Sequence, residues 1–279
     1  MAFMVDGPTL LRPQGRPGAA GSRPGDQAMR VQSFGRTDVG RHRRTNQDAF
    51  FRDDEMRLYV VADGMGGHAA GEVASAEAVE TVYGMVKRGL PGLGDRDAPL
   101  TPEKARAVCR LIEGAIQAAT YMVFAIAQLD RDKSGMGTTL SVALAVGGAL
   151  VTGQVGDSRI YQVRSGRVVQ MTEDHTLIAW QIKRGLISPE EARLSPHRNV
   201  ITRAVGNRDY VEVDTSIVAT DPGDRYLLCS DGLHGYLRSP EEIATIAARG
   251  GDSAVDQFIA LANQRGGRDN ITAVLVEVS

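Results

Sequence analysis

Apolar runs of strand length recur along this chain, and most of them end at or begin beside an aspartate. From about residue 30 to 62 the pattern gives three strands, VQSFGRTDVG, DAFFRDD and RLYVVAD, with a turn at Asp53-Asp54-Glu55. Residues 72–88 place Ala, Val, Tyr and Met on one stripe, which predicts a helix with Glu72 in its first turn. GLPGLGDRDAPL reads as a loop. Thr101-Pro102-Glu103 then opens a long helix through about Gln128, with Thr as N-cap and Pro at the first position. Residues 138–172 read as a meander of four strands, with two-residue turns at Gly147-Gly148 and Ser165-Gly166. A surface excursion with a short helix, HTLIAWQIKRG, occupies 174–206. DYVEVDTSIVA, DRYLLCSD and NITAVLVEV add strands, and SPEEIATIAARG and DSAVDQFIALANQ add capped amphipathic helices. The class this implies is α+β, with two antiparallel sheets packed together and helices outside them.

Composition narrows the setting. A length of 279 residues is ample for a full hydrophobic core, and 42% apolar with 24% charged residues is ordinary for a soluble globular chain. A net charge of −2 argues against a nucleic-acid partner. The two cysteines, Cys109 and Cys229, form no CxxC, which leaves no disulfide framework or thiolate zinc site and fits a reducing cytoplasm. The start lacks a signal-peptide pattern. The most apolar stretch, 111–129, carries Glu113, Gln117 and Gln128, so a buried helix is expected there rather than a membrane span. Residues 1–28, rich in Gly, Pro, Arg and Ala, are expected to form a disordered tail before a domain over 29–279.

The aspartates carry the candidate chemistry. Asp63 ends LYVVAD, Asp157 follows ALVTGQVG, Asp231 ends YLLCSD, Asp269 precedes ITAVLVEV, and Asp48 opens DAFF. Strand ends cluster in space, and a cluster of carboxylates is costly unless cations neutralise it. Oxygen donors of this kind suit hard divalent ions such as Mg2+ or Mn2+. Gly64 adds a carbonyl that can come close to an ion, although a single Asp-Gly is more often a hairpin turn. His68, in the glycine-rich turn GMGGHAAGE, could protonate a leaving group or simply be solvated. Arg41-His42-Arg43-Arg44, just before Asp48, could hold a phosphate dianion in an arginine fork.

Other phosphate chemistries fail on the text. No cysteine has an arginine six positions later, no GKS or GKT follows the glycine-rich turn, and the five histidines form no paired zinc motif.

RTNQDAF, VVADGMGGHAAGEVAS, GMGTTL, GQVGDSRIY, EDHTL, ITRAVG, LLCSDGLHGYL and RDNITAVLVEV stand in this order. Together they resemble the metal-dependent serine/threonine protein phosphatases of the protein phosphatase 2C type, in their bacterial branch, over about residues 30–278. The resemblance implies a four-layer α-β-β-α sandwich with helix pairs outside. It implies that Asp63, Asp231 and Asp269, with the Gly64 carbonyl, hold two Mn2+ or Mg2+ ions. Asp48 would act through water, and Asp157 would hold a third, weaker ion. Arg43 matches the phosphate-binding arginine, with Arg44 as a neighbouring alternative, and His68 the proposed proton donor. A flap beside the site would span about 176–200. The implied reaction is direct hydrolysis of phosphoserine and phosphothreonine by a water shared between the two ions. Implied partners are phosphorylated proteins, a serine/threonine kinase among them, with no nucleic acid or membrane, and the chain acting as a cytoplasmic monomer. Gln47 departs from the family's usual glutamate, and a modest weakening of metal binding is expected from it.

Overall fold

The computed structural model describes residues 29–67, 70–197 and 199–279. The expected tail over 1–28 and the candidate proton donor His68 lie outside the described residues. In chain order come β1 (Val31–Asp38), β2 (Asp48–Asp53), β3 (Leu58–Met65), α1 (Ala70–Gly89) and α2 (Pro102–Leu129). Next are β4 (Gly137–Thr138), β5 (Leu140–Val146), β6 (Ala149–Val155), β7 (Arg159–Arg164) and β8 (Arg167–Gln170). Two short helices, α3 (Leu177–Lys183) and α4 (Pro189–Leu194), precede β9 (Asp214–Ala219) and β10 (Arg225–Cys229). The chain ends with α5 (Asp231–His234), α6 (Pro240–Ala247), α7 (Gly251–Gln264) and β11 (Ile271–Val278).

The strands form two antiparallel sheets. One has the order β2-β3-β5-β6-β9, with β4 beside β3, and the other β1-β11-β10-β7-β8. Three apolar layers bind the molecule. Leu58, Val60 and Ala62 of β3 face α1 and α2 with Ile112, Ile116 and Val123. Tyr59 and Val61 face the second sheet with Ile160, Leu228, Val274 and Val276. Ile271, Ala273 and Leu275 of β11 face Val255, Phe258 and Ile259 of α7. Alternate residues of one strand therefore enter different layers, which explains unbroken apolar runs where a half-exposed strand would alternate. Each fully buried side chain of this size is worth about 1.5–3 kcal/mol. This is the four-layer sandwich expected. The 28-residue helix α2 is long and apolar enough to cross a bilayer. It is N-capped by Thr101, which accepts from the Lys104 amide, and it buries one face on α1 and β6.

Three expectations need correction. The meander over 138–172 is not one sheet: β5 and β6 form a hairpin in the first sheet, while β7 and β8 pair in the second. The chain crosses at Gly156-Asp157-Ser158. Gly156 has φ of +99°, a conformation that side chains other than glycine's rarely adopt. Gln154 holds the crossing by donating to the Gly156 and Ser158 carbonyls at 3.2 and 2.7 Å. DYVEVDTSIVA is a strand only from Asp214, because α2's Gln117 side chain takes the Asp209 carbonyl at 3.1 Å and the Val211 amide at 3.4 Å. DRYLLCSD leaves its strand at Cys229, and Asp231 starts the single turn α5.

Candidate active site

Five elements deliver the aspartates to one end of the sandwich. β2 and β3 pair so that Asp48 stands directly opposite Asp63. Asp157 sits on the crossing between the sheets, Asp231 opens α5, and Asp269 precedes β11. Two glycines permit the crowding. A Cβ on Gly64 would lie 2.1 Å from the Gly71 carbonyl oxygen and 2.5 Å from that of Gln47. One on Gly232 would lie 1.9 Å from the Asn270 carbonyl oxygen, so only glycine lets α5 press against the turn bearing Asp269.

Arg43, Asp63, Gly64, Asp157, Asp231 and Asp269 line one cleft of about 460 Å3. Asp48 lies beneath it. Its Oδ2 accepts hydrogen bonds from Ser230 Oγ at 2.7 Å and Thr272 Oγ1 at 2.6 Å. Its Oδ1 is buried with no partner. Arg43 Nη2 donates to Asp269 Oδ2 at 2.8 Å, half exposed at the cleft edge. Arg44 is exposed on the same loop and is not part of the cleft lining.

The electrostatics are those of a crowded anionic site. Burial, and then Asp48, Asp231, Asp157 and Asp269 in that order, push the Asp63 carboxyl well above its ordinary range. Burial raises Asp231, and Asp269 adds to this, against a hydrogen bond with Asp63. Asp48 is pushed up to about 7 by burial, which outweighs the hydrogen bonds from Thr272 and Ser230. Asp157 is pushed up to about 7 by burial, with Asp231 next. Without cations, ionising all of these together is costly.

The donors fit hard divalent ions. All are oxygens, one buried carboxylate oxygen lacks any partner, and two carboxyls already touch. Among the described residues no three His, Cys, Asp or Glu side chains close on a single point. An ion here would complete its shell with a backbone carbonyl and water, which suits Mg2+ and Mn2+ better than zinc.

Several supporting residues escaped the sequence reading. Thr139 Oγ1 accepts from the Asp63 amide at 2.9 Å. Asn270, nearly buried, accepts from the Gln47 amide and donates to the Val39 and Thr45 carbonyls, which fastens the Arg43 loop to β11. His234, neutral because burial lowers its pKa to about 3, lies with Nε2 2.9 Å from the Asp157 carbonyl and donates to it. His175 Nδ1 accepts from the Gly156 amide at 3.1 Å, and its Nε2 faces Asp214 at 3.0 Å. Asn270 sits next to a singled-out aspartate and His234 lies in the SDGLHG block, but adjacency alone does not show what a side chain holds. Gln47 approaches the Gly66 carbonyl with Nε2 at 3.5 Å.

The excursion over 174–206 is closed at its base. Leu177 donates to the Val200 carbonyl at 2.9 Å, and Thr202 to that of His175 at 2.8 Å. Its helices α3 and α4 wall a second groove that shares Asp157, Asn199 and Asp231 with the cleft.

A family model described as Protein phosphatase 2C matches residues 40–275. The serine/threonine phosphatase stp of Listeria welshimeri is 39% identical over 246 residues, covering 87% of this chain and 94% of that protein. The serine/threonine protein phosphatase PstP of Mycobacterium tuberculosis is 36% identical over 243 residues, 87% of this chain and 44% of its own length. Its crystal structure superposes with a TM-score of 0.77 at 34% identity, over 89% of this chain and 98% of that one. The PstP catalytic domain in complex with two manganese ions superposes with a TM-score of 0.75 at 33% identity, over 90% of this chain and 99% of that one.

Proposed function

The chain belongs to the protein phosphatase 2C family, and we propose that the aspartate cluster carries the family's reaction in distinct roles. The protein is a metal-dependent serine/threonine protein phosphatase using Mn2+ or Mg2+ and acting on phosphorylated proteins. Asp63, Asp231 and Asp269, with the Gly64 carbonyl, would hold two ions. Asp48 would act on them through water, which would give its orphaned Oδ1 a partner. Asp157 would serve a third, weaker ion. When bound, the ions supply positive charge and a water of lowered pKa, the chemistry of direct phosphoester hydrolysis.

The chain's own groups do the rest. Arg43 holds the phosphoryl oxygens at the cleft edge, a role its fork geometry suits. Thr139 and Asn270 fix the backbone that carries Asp63 and Asp269. His68 is the proton donor to the departing serine or threonine oxygen. No thiolate is needed: Cys229 is buried and its thiol is pushed up to about 12, chiefly by burial.

The observation that carries this reading is the crowding of buried and partly buried carboxylates around one cleft with an arginine at its edge. The bacterial relatives support a bacterial setting, and the reading extends to signalling by reversible phosphorylation against a serine/threonine kinase, with the chain acting as a cytoplasmic monomer. Phosphate release from phosphothreonine peptides with Mn2+, Mg2+ or chelator tests it. Release with either metal and none with chelator is expected. Equal release in chelator refutes the metal assignment, and binding of phosphopeptide without release would favour a recognition module instead.

A further inference from the structure

The basic run holds more arginine than the reaction uses. Arg41, His42 and Arg44 are exposed on the loop that carries Arg43, and Arg268 is exposed on the segment against it. Two ties hold these segments together. The Arg41 amide donates to the Gly267 carbonyl at 2.6 Å, and Arg43 donates to Asp269. The Arg41 side chain also crosses Gly267, where a Cβ would lie 2.8 Å from Arg41 Cγ. Arg41 and Arg268 thus flank the pair formed by Arg43 and Asp269.

These flanking arginines have no ion-pair partner among the described residues, unlike Arg36 with Asp256 and Arg265 with Glu242 nearby. The neighbouring acids are engaged elsewhere. Asp38 accepts from the Gly40 amide at 2.8 Å and from Asn263 Nδ2 at 3.0 Å, and Asp269 accepts from Arg43. The positive charge is local, since the whole chain carries −2. With Asp269 taken up by Arg43, the flanking cations repel one another, and an approaching anion relieves that repulsion. Arginine presents a planar fork that matches phosphate and carboxylate alike.

We infer that Arg41, Arg44 and Arg268 form an anion-recognising rim that selects protein substrates bearing further negative charge beside the scissile phosphoester. The charge is a second phosphate or a carboxylate. The inference rests on the phosphatase reading and names the substrate class of that site. An extended peptide advances roughly 3.3 Å per residue, so residues next to a phosphothreonine held by Arg43 pass over this rim.

The test uses the full chain with Mn2+ and four phosphothreonine peptides of one length. Their flanks carry alanine, glutamate, lysine, or a second phosphothreonine. An anionic peptide is expected to exceed the lysine peptide in kcat/KM by about tenfold, mostly through KM, as a few exposed charge contacts allow. The gap closes in about 1 M salt, where the screening length falls to roughly 3 Å. A benefit from glutamate places carboxylates among the recognised groups, and a benefit from the second phosphothreonine alone confines recognition to phosphate. The double variant R41E/R268E is expected to reverse the order while turnover of p-nitrophenyl phosphate stays within twofold. Equal use of all four peptides by the unaltered protein, or an unchanged order in the double variant, overturns the inference. No phosphate from any substrate, p-nitrophenyl phosphate included, overturns the phosphatase reading itself.

Discussion

Asp48 and Asp63 stand directly opposite each other on paired strands, Asp48 buried with its Oδ1 lacking any partner and Asp63 partly buried beside the cleft. Like charges across a strand pair destabilise a sheet. The fold therefore stores an electrostatic cost at the place where ions bind, and the first prediction follows from its pH dependence. Asp48 and Asp157 are raised to about 7, both chiefly by burial. A raised carboxyl contributes stability that is present below its unfolded value near 4 and is lost as pH rises through the folded value. The metal-free protein should then melt higher at pH 5.5 than at pH 8, with the loss spread from near 4 to about 7 and no further loss above that. Each pKa unit is worth about 1.4 kcal/mol, so the two groups give at most several kcal/mol. Thermal melts in chelator across this range check it. A flat or opposite trend would count against the buried, proton-binding cluster, and saturating Mn2+ should remove the loss at pH 8.

Removing one carboxylate should separate stability from turnover. Asp63 is raised by burial first and then by four other aspartates, and it touches Asp231. Asp63→Asn keeps the shape, relieves the repulsion and removes a ligand. The metal-free variant is expected to melt higher than the parent at pH 8, by about 2–4 °C per kcal/mol recovered. Its turnover of p-nitrophenyl phosphate with Mn2+ should fall by at least about 1000-fold, in line with loss of a group central to transition-state stabilisation. Near-normal turnover would remove Asp63 from the site.

The two central arginines of the basic run should differ. Arg43 lines the cleft and reaches Asp269, whereas Arg44 is outside the lining. A charge-assisted hydrogen bond to phosphate is worth about 1.5–3 kcal/mol. Arg43→Ala should lower kcat/KM on p-nitrophenyl phosphate by about 10–100-fold. Arg44→Ala should leave it within about threefold, because an exposed charge adds little on a substrate too small to span the rim. Equal losses would move the phosphate contact to Arg44.

The sandwich was legible because strand-length apolar runs alternating with amphipathic helices admit few packings. Asp63, Asp231 and Asp269 were legible because each abuts such a run. The partners of Asp48 were not: Ser230 and Thr272 lie 182 and 224 residues away, and only the pairing of the folded sheets brings them to its carboxylate. The crossing at Gly156 was hidden too, since SRIYQVR follows ALVTGQV at the spacing of a hairpin. Nothing local tells a positive-φ glycine that turns a hairpin from one that moves the chain between sheets.

That crossing sets up the last prediction. Asp157 rides on it and is fastened twice, by His234 donating to its carbonyl at 2.9 Å and by His175 accepting from the preceding amide at 3.1 Å. Asp157 shares the cleft with Asp63 and Asp231, yet its backbone belongs to neither β3 nor α5, the elements that bear them. Asp157→Asn should therefore leave two Mn2+ ions bound by calorimetry while turnover drops by about tenfold, one charged ligand's share. His234→Leu removes the donor and leaves a carbonyl unpaired, at a cost of about 1–3 kcal/mol in stability. Its turnover should fall towards that of Asp157→Asn, and His234→Gln, which keeps an N–H donor, should recover part of it. If His234→Leu loses stability but keeps full turnover, His234 supports the fold without positioning Asp157. If Asp157→Asn empties the two-ion core, Asp157 belongs with Asp63 and Asp231 rather than to a third ion.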